Sequence, residues 1–179
     1  MTGLGNEGIE IRETRQADMA ALERLYPETF PDEDLLPLVR DLHRKGSGVV
    51  SFIAHADEAV LGHVVFTICG IAGQTAKVAL LGPLAVAPAR QGRGTGSAIV
   101  RAGLHHLEIA GTTRVFVLGD PAYYGRFGFK PDDRVSPPYP LPAEWRDAWQ
   151  SLPLGRVHDP LAGTLDVPRP WQHSALWAA

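Results

Sequence analysis

The sequence predicts one α/β domain, on three observations. Two stretches near the N-terminus repeat apolar residues at helical spacing, and residues 49–54 and 60–68 are rich in β-branched and aromatic residues. A strand, a glycine loop, a helix and a second strand then follow one another across residues 77–118. With 179 residues, 45% hydrophobic and 21% charged, the chain is long enough to bury a core, so a single domain over 1–179 is expected.

The elements follow in chain order. Ile9-Glu10-Ile11-Arg12 alternates apolar and polar residues, which suits a short half-buried strand. Thr14 is placed to cap a helix whose apolar positions Ala17, Ala21, Leu22 and Leu25 stop before Pro27. Residues 35–45 read as a second helix closed by Gly46. Residues 49–54 and 60–68 form a hairpin around Ala56-Asp57-Glu58. Residues 77–87 are a further apolar strand, and Gly82-Pro83 inside it marks a bulge or an edge with unpaired backbone. Ala98, Ile99, Ala102, Leu104 and Leu107 mark a helix that ends at Gly111, and residues 114–118 return to strand. This core is expected over 9–130. Residues 131–179 are rich in proline and read as an irregular extension, packed onto the core by Trp145, Trp149, Trp171 and Trp177.

Composition narrows the partners. Seventeen Lys+Arg against twenty Asp+Glu give a net charge of -3, so no overall positive field favours nucleic acid or an anionic membrane. The single cysteine, Cys69, sits in an apolar run and reads as a buried small residue, with no internal disulfide or thiolate cluster available. Residues 1–8 are small and polar, lack the order of a secretion signal and are expected to be flexible. No run approaches the roughly 18 apolar residues that span a bilayer, and a cytoplasmic location is expected by default.

Gln91-Gly92-Arg93-Gly94-Thr95-Gly96-Ser97 places glycines at alternate positions ahead of a helix. Glycine lets backbone approach an anion closely, successive N–H groups converge on it, and the helix N-terminus adds a favourable dipole. Arg93 can add charge to a phosphate contact. A dinucleotide fingerprint would require glycine where Ser97 stands, and the Gly-Lys-Ser/Thr of a P-loop is absent. A strand-to-helix turn that uses glycine only for its own dihedrals is the structural alternative.

Residues 84–97 resemble the acetyl-coenzyme A (acetyl-CoA) motif of the GCN5-related N-acetyltransferase (GNAT) superfamily, Gln/Arg-x-x-Gly-x-Gly/Ala, with Gln91, Gly94 and Gly96 at its fixed positions. Tyr124-Gly125-Arg126-Phe127-Gly128-Phe129 resembles the family's downstream Tyr-x-x-x-Gly-Phe. Leu81-Gly82-Pro83-Leu84-Ala85-Val86 and Leu118-Gly119-Asp120-Pro121-Ala122-Tyr123-Tyr124 resemble the YhbS-like branch. The resemblance implies a mixed, mostly antiparallel central sheet with a splayed strand pair, flanked by helices. It also implies an acyltransferase that passes acetyl from acetyl-CoA to a primary amine by direct attack. Backbone groups of Leu84, Ala85 and Val86 would hold the pantetheine arm, and amides from Gly92, Arg93, Gly94, Thr95, Gly96 and Ser97 the pyrophosphate. Tyr124 would protonate the leaving thiolate, since a phenol keeps its proton at neutral pH; an exchange of roles with Tyr123 stays open.

The general base is not written in a motif. Asp120 reads as a helix cap before Pro121, with a proton-accepting role as the alternative, and Glu28 and His63 are weaker candidates. Adjacent His105 and His106 point about 100° apart on a helix, so they are not read as ligands and no metal is expected. The first two helices shape the acceptor groove in the family, and Glu23, Glu28, Asp32, Glu33 and Asp34 bias that region towards a cationic small-molecule or peptide amine. A homodimer is left open. A non-catalytic acyl-CoA sensor or partner-binding module on the same fold is the alternative function.

Overall fold

The computed structural model describes residues 8–156 and 160–178. The expected flexible lead, apart from Gly8, lies outside the described residues. The strands form an open, mixed, mostly antiparallel sheet flanked by helices.

The described chain falls into two compact units, one of residues up to Phe66 with Pro83–His106, the other of Thr67–Gly82 with residues from Leu107 onward. In the first unit, β1 (Glu10–Glu13) pairs antiparallel with β2 (Val49–Ala56), from Glu10↔His55 to Glu13↔Phe52. Next to β2 comes β3 (Ala59–Ile71), and next to β3 comes β4 (Val78–Val86). Asp57 turns the β2–β3 hairpin at φ 53°. Helix α1 (Met19–Thr29) buries Leu22, Leu25 and Tyr26, and α2 (Leu36–Lys45) buries Leu38, Val39 and Leu42. Gly46 closes α2 at φ 67° with its N–H on Leu42 O (3.3 Å). Helix α3 (Thr95–Ile109) starts from the glycine loop.

Two expectations about α1 are corrected. Thr14 does not cap it; its N–H donates to Ser51 O (2.9 Å), continuing the β1–β2 pairing. The turn into the helix is held instead by Asp18, whose carboxylate accepts from Arg15 N (2.6 Å) and from both terminal nitrogens of Arg12 (2.8 and 2.9 Å). That hydrogen-bonded guanidinium holds the Asp18 carboxyl below its ordinary range. The helix also runs through Pro27 to Thr29, because the lost N–H falls on the exposed face while Leu25 and Tyr26 stay anchored in the core.

In the second unit β4 runs parallel to β5 (Arg114–Leu118), which pairs antiparallel with β8 (Trp149–Pro153), and β8 pairs antiparallel with β6 (Lys130–Pro131). The short strand β7 (Val135–Ser136) lies parallel to β9 (Gly163–Asp166), and β9 is antiparallel to the end of β3. The short helix α4 (Pro121–Tyr124) follows β5. The end of the chain is therefore less irregular than its prolines suggest. Trp149 stacks on Phe116 of β5 (5.5 Å), and Trp177 packs on Trp149 (5.8 Å) and on Trp171 (5.9 Å). Ser151 donates to Asp132 (2.6 Å) and accepts from Arg114 (2.8 Å), which ties β8 to its neighbours.

Cys69 is buried, with its thiol donating to Thr67 O (3.3 Å). Among the described residues no helix is long and apolar enough to cross a membrane. Inside the first unit Gly103 of α3 lies against the Phe66 ring so closely that a Cβ there would overlap it. Gly103→Ala should therefore cost about 1–3 kcal/mol, read as a lower urea midpoint at unchanged slope; an unchanged midpoint would show that the ring moves aside freely.

Candidate active site

The β4–β5 ladder runs from Val78↔Arg114 to Leu81↔Val117 and stops there, although β4 continues to Val86. Gly82 takes φ 144°, a conformation that side chains disfavour, and Pro83 after it has no N–H to give. On its other edge β4 stays bound to β3, with Ala87 N–H on Leu61 O (2.8 Å). Strand alternation then aims the peptide groups of Ala85 at β3, and those of Leu84 and Val86 at the opposite edge. The Val86 carbonyl accepts from Gln91 Nε2 (3.0 Å) and Thr29 Oγ1 (3.3 Å), so the Gln91 side chain braces the strand end.

The loop proper begins after a 3-10 turn at Pro88–Arg90. Gly92 (φ 71°) and Gly94 (φ 84°) both adopt left-handed backbone, and Ala98 N–H closes the first α-turn on Gly94 O (3.0 Å). The amides ahead of Ala98 sit at the positive end of a 15-residue helix. Arg93 is exposed beside them, whereas Thr95 and Gly96 are buried. The α3 start seats closely because Gly62 has no side chain: a Cβ there would stand 3.3 Å from Ile99 Cδ1, 3.4 Å from Ala85 O and 3.5 Å from Thr95 Cγ2. Gly62 carried no sequence signal, since its role depends on a strand and a helix meeting.

Tyr124 ends α4 in the second unit. Asp120 caps that helix, its Oδ1 accepting from Ala122 N (2.9 Å), so the capping reading holds. The Tyr124 ring lies on Gly119, where a Cβ would overlap it, and packs on Phe129 (5.8 Å) and Tyr123 (5.0 Å). Burial, with Tyr123 beside it, raises the Tyr124 phenol above its ordinary pKa, and its hydroxyl makes no hydrogen bond among the described residues. Tyr123 has a different setting, with the Arg126 guanidinium 4.2 Å over its ring.

The remaining candidates separate by exposure. Glu28 is exposed on α1, His105 is exposed on α3, and His106 faces Glu13 at 3.6 Å. No group of three or more His, Cys, Asp or Glu among the described residues could hold a metal ion. His63 is fully buried, and its Nδ1 shares a 2.7 Å hydrogen bond with the equally buried Tyr26 hydroxyl. Burial, then the nearby His43, lowers the His63 pKa to about 3, against a smaller opposing pull from Asp18. His63 therefore stays neutral in the core. The α1–α2 connection forms a 340 Å³ pocket lined by Tyr26 and Phe30 and by Asp32, Glu33 and Asp34, and none of these three carboxylates makes an ion pair among the described residues. Glu23 is instead paired with Arg40 (3.0 Å).

The model of the acetyltransferase (GNAT) family matches residues 15–129, from the first helix through the glycine loop to Phe129. The chain belongs to the GNAT family. Among curated GNAT relatives, the uncharacterized N-acetyltransferase YjhQ of Escherichia coli K12 is 35% identical over 170 residues, 91% of this chain and 94% of its own length. The uncharacterized N-acetyltransferase YhbS of the same strain is 29% identical over 150 residues, 83% of this chain and 87% of its own. Two solved GNAT structures resemble this one. A Brucella melitensis acetyltransferase in complex with acetyl-CoA has a TM-score of 0.74 at 30% identity, covering 92% of this chain and 98% of its own. E. coli YhbS in complex with CoA has a TM-score of 0.82 at 26% identity, covering 92% of each chain.

The buried histidine makes this GNAT chain acid-sensitive. The folded His63 pKa of about 3 lies below its ordinary 6.5, so between those values the unfolded chain binds more protons. The share of stability that depends on neutral His63 is full above pH 6.5 and falls as the pH drops towards 3, by at most about 1.4 kcal/mol per unit. His63→Gln, which cannot titrate, should remove that share of the slope from urea unfolding between pH 6.5 and 4.5; an unaltered slope would place the sensitivity elsewhere.

Proposed function

We propose that this GNAT protein is a cytoplasmic N-acetyltransferase, working as one domain, that moves acetyl from acetyl-CoA to a primary amine by direct attack. One observation supports it above the rest: a strand edge released from pairing at Gly82 leads, in the same chain segment, into a loop with two left-handed glycines at a helix N-terminus. In this reading the outward N–H and C=O of Leu84 and the N–H of Val86 take the pantetheine arm. Ala85 fixes their direction by facing β3, and Gln91 braces the Val86 carbonyl. The amides of residues 92–97 receive the pyrophosphate, with Arg93 adding charge.

The reaction needs no enzyme nucleophile, in keeping with a buried Cys69. The neutral amine attacks the thioester carbonyl carbon, the C–S bond breaks, and the amine's proton passes to water. The departing thiolate takes the Tyr124 proton, which the raised phenol pKa keeps in place until then, and the resulting phenolate, strongly basic for the same reason, regains a proton from water. The carboxylates of the 340 Å³ pocket favour an acceptor that carries positive charge, with Tyr26 and Phe30 forming its apolar wall.

Calorimetry on chains shown to be folded tests the loop and the tyrosine separately. Gly94→Val and Gly96→Val should weaken acetyl-CoA at least ~10-fold, because the first forces a side chain into left-handed backbone and both crowd the cradle. Tyr124→Phe should bind acetyl-CoA normally and lower kcat about 100-fold on a responsive amine, read as free thiol. Unchanged affinity in the glycine variants would overturn the loop assignment, and undiminished turnover in the phenylalanine variant would remove Tyr124 from the proton transfer. Tight donor binding with no thiol release across a panel of primary amines would make the protein an acyl-CoA sensor.

A further inference from the structure

A second cavity lies wholly within the proline-rich end of the chain. It has a volume of 710 Å³, in the range that holds small organic ligands, and is separate from the glycine loop in sequence and in lining. Its apolar surface comes from the prolines of the segment 137–142 with Tyr139 and Leu141, backed by the buried Val135 and Trp149. Trp149 is fixed, buried against Phe116 with its indole N–H on Val135 O (2.7 Å). Prolines carry no rotamer freedom to lose, so this wall is preorganised and its occupation costs little conformational entropy.

Two opposite charges line the same cavity without meeting. Asp133 and Arg146 are both exposed, and neither makes an ion pair or a side-chain hydrogen bond among the described residues. Asp132 beside them is committed, accepting from Arg134 N, Val135 N and Ser151 Oγ. Of the charged side chains that line the cavity, Asp133 is therefore the unpaired carboxylate and Arg146 the unpaired cation among the described residues. An apolar wall flanked by an unpaired carboxylate and an unpaired guanidinium complements a molecule with an ammonium, a carboxylate and an apolar body.

We propose that this cavity is a binding site for a free amino acid with an aromatic side chain. Arg146 takes the carboxylate, Asp133 takes the ammonium, and the ring lies against the prolines and Tyr139. The cavity shares no lining residue with the glycine loop or the α1–α2 pocket, so this proposal does not depend on the assignment of the transfer site.

The test is calorimetric titration of the full chain with L-phenylalanine, 3-phenylpropionate and phenethylamine, which share the ring and differ in charge. L-Phenylalanine should bind at least ~10-fold more tightly than either truncated analogue. Arg146→Gln should weaken L-phenylalanine and phenylpropionate but leave phenethylamine unchanged, and Asp133→Asn should do the reverse. Both substitutions are on exposed positions, so neither should disturb folding, and acetyl-CoA affinity should be unaltered in both. No binding of L-phenylalanine at millimolar concentration would overturn the proposal, as would equal affinity for all three probes or binding indifferent to both substitutions.

Discussion

Strand β4 lies next to β3, to which Ala87 N–H still donates at Leu61 O beyond the strand's end, but it pairs with β5 only as far as Leu81, and the proposed chemistry follows from that asymmetry. A strand edge without a partner would normally recruit water or another strand. Here the interruption is written into the backbone, by a glycine at φ 144° and a proline without an N–H. The same strand then runs directly into the loop at Pro88–Arg90 and the N-terminus of α3. In the proposed reading, one continuous segment thus supplies backbone groups for an amide-rich arm and donors for a phosphate. That is economical for a CoA-type ligand, whose own polar groups are spaced along a chain.

Close approach does the positioning, and small residues permit it. Gly62 lets the start of α3 come down on β3 and β4, Gly103 lets the middle of that helix meet Phe66, and Gly119 lets the Tyr124 ring lie on the backbone after β5. The buried Tyr26–His63 hydrogen bond works differently, joining α1 to β3 by a directional contact in an otherwise apolar core. Its cost is a histidine nitrogen, Nε2, left without a partner among the described residues. The result is a core fixed in register but sensitive to acid.

The loop was legible in the sequence because its physics is local: alternating glycines, a preceding strand and a following helix are contiguous. Gly82-Pro83 was legible for the same reason, and Asp120 was read correctly as a cap because its partner Ala122 is two residues away. What depended on distant partners was not legible. Local pattern points to Thr14 as the helix entry, because the Asp18 bond to Arg12 exists only once β1 and the turn are folded together. Strand β8 was hidden in a proline-rich end because its pattern is short and its partner β5 lies more than thirty residues upstream. The Tyr26–His63 bond joins residues 37 apart, and His63 alone looked like one more titratable group. Tyr124 was visible as a motif residue, but the Gly119 contact that seats it was not.

Amide hydrogen exchange with and without CoA addresses the central claim most directly, because the proposed cradle is made of backbone. Saturating CoA should slow exchange at Leu84, Val86 and the amides of residues 92–97, while the β1–β2 ladder stays unchanged. Protection absent from those amides in a chain that demonstrably binds CoA would contradict the account.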